Sequence, residues 1–463
     1  MTATHLGEFR RLREFRRPKQ LSLVSRRLYN YPRSRRFAAI CGHPELFALP
    51  VALSAALLAA GCSGVAGGDT GAGVTPAPAA AAPQRATGGA VLPGIDVWRA
   101  RGFAPLAGKR VGLISNLTGR DAAGVLTAEV LRRAPEITLA ALFSPEHGFA
   151  GVEEGDVASA TDAAGLVIHS LYGDTRRPTA EMLAGLDGLV FDIQDIGTRF
   201  YTYATTMAYA MEEAAAHGLP FVVLDRPDPI TGSHIEGPLL HDELRSFVGY
   251  APIPLRHGMT MGELARYFNE ERGIGADLTV VEVQGWRRVD WYDATGLLWI
   301  DPSPNMRNLV EAALYPAVGP LETTNVSVGR GTDEPFEWFG APWIDARRLA
   351  AHLNAAGLAG IRFVPRRRTP ASSVYEGEPC AGVDLLLTDR DAFDAGITAA
   401  TLIHALYTLY PEDWDTSSLP RLWGRPEIVD QLAAGLTAAD IAAAWQPDLD
   451  AFLRVRARYL LYD

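Results

Sequence analysis

Five short apolar runs, rich in β-branched residues, recur along the first half of the chain at 110–116, 137–144, 166–172, 188–193 and 219–224. Helix-like segments lie between several of them, at 127–133, 179–186 and 201–217, the last stopped by Gly218 where helices favour a left-handed cap. Parallel strands cannot be joined by a tight hairpin, so strands that alternate with helices imply a parallel sheet covered on both faces. The spacing predicts a doubly wound α/β domain. No internal repeat is legible.

Ligands of open α/β sheets bind at the carboxyl ends of the strands. Read that way, one crevice collects Glu146, Asp192, Asp195 and Asp225, with Arg199 and Arg226 among them. No G-x-G-x-x-G follows the first run, and Lys109 is not followed by Ser or Thr as a phosphate loop requires. Serine-esterase G-x-S-x-G and zinc-protease H-E-x-x-H signatures are also missing from the sequence. No cofactor and no dedicated metal site are therefore expected.

Beyond Asp225 the pattern loosens. Thr260 and Glu263 form a capping box that opens a helix to about residue 271, and a strand is expected at 278–283. The turn-rich break at 302–305 places a domain boundary near Ala312, giving a domain at 91–312 and a smaller α+β domain at 313–463. The latter has strand candidates at 361–365 and 382–388, and its loops bearing Asn325 and Arg330 are placed to roof the crevice.

The N-terminus reads as an address. An arginine-rich stretch precedes the uncharged apolar run 46–60, too short for a spanning helix of about 20 residues, and Gly61-Cys62 follows at once. Residues 1–61 are expected to be a signal region, with Cys62 the lipidated first residue of an exported, envelope-anchored protein. The long basic prefix suggests a start placed too far upstream. From 63 to 90, 23 of 28 residues are Ala, Gly, Pro, Ser or Thr, so 62–90 reads as the lipidated Cys and a tether unable to bury enough surface to order itself. The signal region carries 11 basic and 3 acidic side chains; without its +8 the net charge falls from −11 to −19. Such a surface repels phosphate backbones, which disfavours nucleic acid as a partner and leaves the lipid anchor as the link to a membrane. Three cysteines in 463 residues exclude a disulfide framework.

Nine strings stand in order from about residue 94 to the end: SPEHGF at 144–149, FDIQD at 191–195, RFYTY at 199–203, DRP at 225–227, EGP at 236–238, RHGMT at 256–260, PSPNM at 302–306, GRGT at 329–332 and GAPW at 340–343. Together they resemble the exo-β-N-acetylmuramidase family of bacterial cell-wall hydrolases. The resemblance implies a Rossmann-like N-terminal domain, a smaller C-terminal one, and release of N-acetylmuramic acid from the non-reducing end of peptidoglycan fragments. Two positions depart from the family pattern: Thr323 stands where Gly is expected, and Val328 where Glu is expected.

Hydrolysis of a glycosidic bond needs a proton for the leaving oxygen and a second carboxylate. Glu146 is the first choice for the acid, against the plainer reading of a loop cap; Asp195 and Asp192 come next, and Glu236 is an outside candidate. The lactyl carboxylate of muramic acid calls for a fixed cation, for which Arg199, Arg226, Arg256 and Arg330 are candidates, Arg226 first. Any of these could instead lock a structural aspartate. Tyr201 and Tyr203 are candidates to stack on a sugar, and His147 and His257 to orient carboxylates. Two rival readings stay open: a metal-dependent hydrolase using Glu146, His147, Asp192, Asp195 and Asp225 as ligands, and a non-catalytic peptidoglycan-binding lipoprotein.

Overall fold

The computed structural model describes residues 90–463. The signal region, Cys62 and the tether up to residue 89 lie outside the described residues. A seven-stranded sheet is built from β1 (Arg110–Ser115), β2 (Thr138–Ser144), β3 (Ala160–Thr161), β4 (Val167–Ser170), β5 (Gly188–Asp192), β6 (Phe221–Leu224) and β7 (Leu278–Val281). Its order is β3-β4-β2-β1-β5-β6-β7, and every pair is parallel except β3 with β4.

The central strands explain why the apolar runs are continuous rather than alternating. Every residue of β5 and β6 is buried, because helices cover both faces of the sheet. One face packs Ile95, Trp98, Val111, Leu131 and Val222; the other packs Ile114, Phe143, Phe191, Met207 and Met211. From β1 the chain winds outward through β2 and β4, then crosses back to β5 and winds the other way. That reversal opens a crevice at the carboxyl ends of β1 and β5. The fold is thus a Rossmann-like, doubly wound α/β sheet.

Helices Thr127–Arg133 and Met261–Glu271 stand where the sequence places them. In the second, the Thr260 hydroxyl and the Glu263 carboxylate complete both bonds of the capping box. The helix expected at 179–186 shrinks to Ala180–Leu183. Gly185 follows in the left-handed region, with φ 77°, and turns the chain toward β5.

The chain passes to the smaller lobe through the helix Leu309–Val318, within which the expected boundary falls. That lobe carries an antiparallel sheet of β8 (Trp338–Ala341), β9 (Ile361–Arg368) and β10 (Cys380–Leu387), in the order β8-β10-β9. Strand β8 is not legible in the sequence, since its aromatic and glycine residues lack a strand's alternation. Strand β9 runs on through Pro365, tolerated because β9 is an edge strand with a free N–H side. Helices Ala346–Ala355, Ala395–Leu409 and Ala438–Arg456 complete the lobe.

Candidate active site

Glu146 follows β2 on a loop that doubles back on itself. His147 and Gly148 both take left-handed backbone, with φ of 69° and 73°. Such a conformation is costly for a side-chain-bearing residue and persists only where the surroundings hold it. Here the His147 Nδ1 is 2.8 Å from the Glu153 carbonyl. A carbonyl only accepts, so Nδ1 carries a proton. Val157, at the far end of the loop, donates its N–H to the Tyr172 carbonyl at 2.6 Å, tying the loop to the exit of β4.

The Glu146 carboxylate is half-buried and is met from two sides. Thr202 is the N-cap of the helix Tyr203–Ala216, yet its hydroxyl does not cap that helix. It donates instead to Glu146 Oε2 at 2.5 Å, joining the loop after β2 to the turn after β5. Tyr172 lies against the same carboxylate. Burial, and then Glu146 itself, push its hydroxyl up to about 12. Behind them Tyr201 packs edge-to-face on Tyr203, ring centroids 4.8 Å apart, and on Tyr315 from the smaller lobe at 6.2 Å. The Tyr201 hydroxyl is buried without a hydrogen-bond partner among the described residues. Burial raises its pKa, and the charges of Asp195 and Glu146 add to the shift. Tyr201 is therefore part of the wall rather than an open stacking platform. Tyr203 is a strut, its hydroxyl accepting from Asn116 Nδ2 at 3.0 Å and donating to the Pro302 carbonyl at 2.5 Å.

Most of the other expected site residues prove to be structural. Asp192 and Arg226 form a buried two-pronged pair, with Nε–Oδ1 2.5 Å and Nη2–Oδ2 3.1 Å; Thr127 donates to Oδ2, and Arg226 also reaches the Arg120 carbonyl. Beside them, at the ends of β1 and β5, the cavity is only about 10 Å³, room for about one water and not for a sugar. Asp225 is fully buried and saturated by the Thr260 and Tyr462 hydroxyls and the N–H groups of Gly262 and Arg226. Arg199 donates to four carbonyls, those of Pro238, Ile253, Leu422 and Trp423, and so bolts the two lobes together. Gly424 must be glycine beneath it, because a Cβ there would lie 2.4 Å from Nη2 at φ 89°.

Arg256, with no exposure, binds Glu236 at 3.1 Å and the Ile230 carbonyl. Burial alone would raise the Glu236 pKa, but Arg256, His234 and the Ala395 N–H lower it. Glu236 is thus held ionised at the N-terminus of the helix Ala395–Leu409, the wrong state for a general acid. Asn325 spends both ends of its amide on residues 413 and 415. Of the four arginines only Arg330 is not fully buried, and it is paired with Glu322 at 2.5 Å. These corrections share one cause: strand ends in a doubly wound sheet are also where crossover loops must be anchored, and buried charges are found paired.

His257 is buried and accepts the Met259 N–H on Nδ1, so its proton sits on Nε2, 3.7 Å from Asp195 Oδ2. Asp195 also accepts from the Gly197 N–H, while its Oδ1 has no partner among the described residues. Asp228 completes this cluster, and burial raises its pKa from 3.8 to about 6. A folded pKa above the unfolded one means the native state holds its proton more tightly. Stability at this site is therefore lost as pH rises from about 4 through about 6. Asp228→Asn keeps an acceptor for the Ile230 N–H and is expected to raise Tm by a few degrees at pH 7.5, with the gain vanishing near pH 4. Thermal melting at the two pH values checks this; an equal effect at both would show that ionisation is not the cause.

Among the described residues no three His, Cys, Asp or Glu side chains gather as a metal would need. The ligands of the rival metal reading are dispersed: Asp192 on Arg226, Asp225 on the helix Met261–Glu271, and His147 on its own loop.

Residues 111–310 match the N-terminal domain, and residues 313–462 the C-terminal domain, of the family described as exo-β-N-acetylmuramidase NamZ. The chain belongs to the exo-β-N-acetylmuramidase family. Among similar proteins is the peptidoglycan β-N-acetylmuramidase NamZ of Bacillus subtilis (strain 168), 46% identical over 378 residues that cover 80% of this chain and 91% of that protein. Crystal structures of two DUF1343 family proteins from Bacteroides fragilis NCTC 9343 are also similar, with TM-scores of 0.75 and 0.68 at 39% and 32% identity. Each covers 81% of this chain and 99% of its own. Of the two departures from the family pattern, Thr323 has ordinary backbone and donates its hydroxyl to the Pro320 carbonyl, and Val328 is buried.

Sequence reasoning did not single out Tyr172, Thr202 or Tyr315, which the structure places around Glu146. Tyr172 ends a predicted strand, and an aromatic side chain at a strand's carboxyl end was the available signal. Thr202 stood inside the string RFYTY, which was its signal; Tyr315, whose hydroxyl donates to Glu322, carried none, because it comes from a distant part of the chain.

Proposed function

We propose that this chain is an exo-acting glycoside hydrolase that releases N-acetylmuramic acid from the non-reducing end of peptidoglycan fragments. The observation that carries the reading is Glu146, held by Thr202 at the carboxyl edge of the sheet, with Tyr172 leaving the adjoining strand beside it and Tyr315 of the smaller lobe near enough to feel its charge. Residues 91–312 supply the acid and 313–463 contribute Tyr315. Glu146 gives its proton to the departing glycosidic oxygen as the anomeric carbon gains positive charge. Among the remaining candidate carboxylates, Asp192 and Glu236 are consumed by arginines. Asp195 alone keeps an unpartnered oxygen, and its field reaches Tyr201 beside Glu146. It is the second carboxylate of this reading.

Incubating the chain with N-acetylmuramyl-N-acetylglucosamine and separating the products tests the reading. Free N-acetylmuramic acid and N-acetylglucosamine are expected. Intact disaccharide that nevertheless binds would replace hydrolysis with a binding role.

Export and lipidation at Cys62 belong to the same reading, supported by the apolar run, Gly61-Cys62 and the tether. Such an anchor would leave the hydrolase beside the wall. Cys62→Ala is expected to move the protein from the membrane to the soluble fraction with its specific activity retained, and membrane retention at the parental level would remove the anchor from the account.

A further inference from the structure

The neighbourhood of Glu146 is acidic, since Asp156 shares the surroundings of Tyr172 with it and Glu322 those of Tyr315. Glu154 accepts from Asn305 Nδ2 at 3.0 Å, Glu322 holds Arg330, and Asp156 adds its charge near Tyr172. A substrate that is itself a carboxylate enters such a rim only if a cation there is not already neutralised. The four arginines singled out from the sequence do not meet that condition: three are buried in structural bonds, and Arg330 forms a net-neutral pair with Glu322.

Arg176 does meet it. Its guanidinium carbon lies 5.1 Å from the ring centroid of Tyr172 and 4.4 Å from that of Phe247. The two rings are themselves packed, 5.6 Å apart, and Phe247 is buried. The side chain is exposed, and among the described residues no carboxylate lies within ion-pair distance of it. Its neighbour Arg177 shows the contrast, bound to Glu212 at 2.5 Å and to Glu213 at 3.3 Å. Aromatic faces hold a guanidinium in place without cancelling its charge, and they leave its planar fork free for an oxyanion. The Tyr172 ring that carries Arg176 on its face leaves the end of β4 beside Glu146, because Ser170 lies opposite Ser144 and the Leu171 N–H donates to the Ser144 carbonyl at 2.8 Å. A sugar whose glycosidic oxygen lies at Glu146 therefore has Arg176 on its flank. In muramic acid the lactyl ether leaves from C3, two bonds around the ring from the anomeric carbon.

We propose that Arg176, shelved on Tyr172 and Phe247 beside Glu146, binds the lactyl carboxylate of the terminal muramic acid and thereby sets the preference for that sugar. The assignment rests on the hydrolase reading above for the identity of the ligand, and on the uncompensated charge for the residue. Arg177 and Arg330 are excluded because each already faces a carboxylate.

The test compares N-acetylmuramyl-N-acetylglucosamine with its lactyl methyl ester, which keeps the sugar and loses the charge, using the full chain. The parent is expected to favour the free acid in kcat/KM. In Arg176→Met that preference should fall by about ten- to a hundred-fold, the usual weight of a charge-assisted contact. Arg176→Lys should keep part of it, having the charge without the fork. Arg176 is exposed, and an unchanged melting curve separates a lost contact from a lost fold. A parental acid-to-ester ratio in Arg176→Met overturns the proposal, as does a loss of preference in Arg330→Met alone. Equilibrium binding of free N-acetylmuramic acid and its methyl ester gives a second readout that needs no turnover. A chain that binds the acid over the ester through Arg176 but cleaves neither disaccharide keeps this site and loses the hydrolase reading.

Discussion

Glu146→Gln is expected to lower kcat on N-acetylmuramyl-N-acetylglucosamine by on the order of 10² to 10⁴, the range of a positioned general acid. The substitution is nearly isosteric, so Thr202 still has an oxygen to donate to and the loop is retained. Only the transferable proton is lost. An aryl glycoside of N-acetylmuramic acid, whose leaving group departs with little protonation, should therefore lose much less. Steady-state kinetics on the two substrates measure the difference. Near-parental turnover of both would remove Glu146 from the chemistry, while equal large losses would assign it another role, as nucleophile or as a support of the loop.

The second large effect is on stability. Asp192 and Arg226 are each almost wholly buried and face one another through two bonds. Removing either partner strands the other's charge in a dry interior, which costs about 3–5 kcal/mol. Asp192→Asn and Arg226→Met are each expected to lower Tm by on the order of 10 °C. The double variant should lose less than the sum, because no uncompensated charge remains. Thermal and denaturant unfolding of the four proteins complete the cycle; additive losses would mean that the pair contributes nothing as a pair. The acid-to-ester preference should survive in Arg226→Met, since that guanidinium faces Asp192 and the Arg120 carbonyl rather than the Glu146 pocket.

The mechanistic picture turns on a division between the two lobes. The sheet supplies Glu146 on the loop after β2, and Thr202 at the N-terminus of the helix Tyr203–Ala216 ties that loop to a regular element. The smaller lobe contributes Tyr315, with Phe336 packed on it at 4.4 Å and Arg330 close by. Arg199 and Glu236 hold the lobes in register from below, through the Leu422 and Trp423 carbonyls and the Ala395 N–H. Residues that read as binding groups in the sequence thus act by keeping the pocket assembled.

Local chemistry was legible in the sequence alone. Short, β-branched apolar runs set between helix-like segments fit strands buried on both faces, which made β1, β2, β5 and β6 readable almost to the residue. The Thr260–Glu263 capping box opens its helix as written, because its bonds span only three residues. The string SPEHGF marked Glu146, while the left-handed backbone of His147 and Gly148 beside it became visible only in the structure. What the sequence could not carry was which charge faces which. Asp192 meets Arg226 across 34 residues, Glu236 meets Ala395 across 159, and Arg199 meets Trp423 across 224. A strand-end aspartate waiting for substrate and one locked on an arginine look identical until the chain is folded. The difference is desolvation: burial makes an unpaired charge so costly that the fold pairs Asp192 with Arg226 and Glu236 with Arg256, whereas an exposed guanidinium such as that of Arg176 can stay unpaired, and only tertiary structure shows which is which.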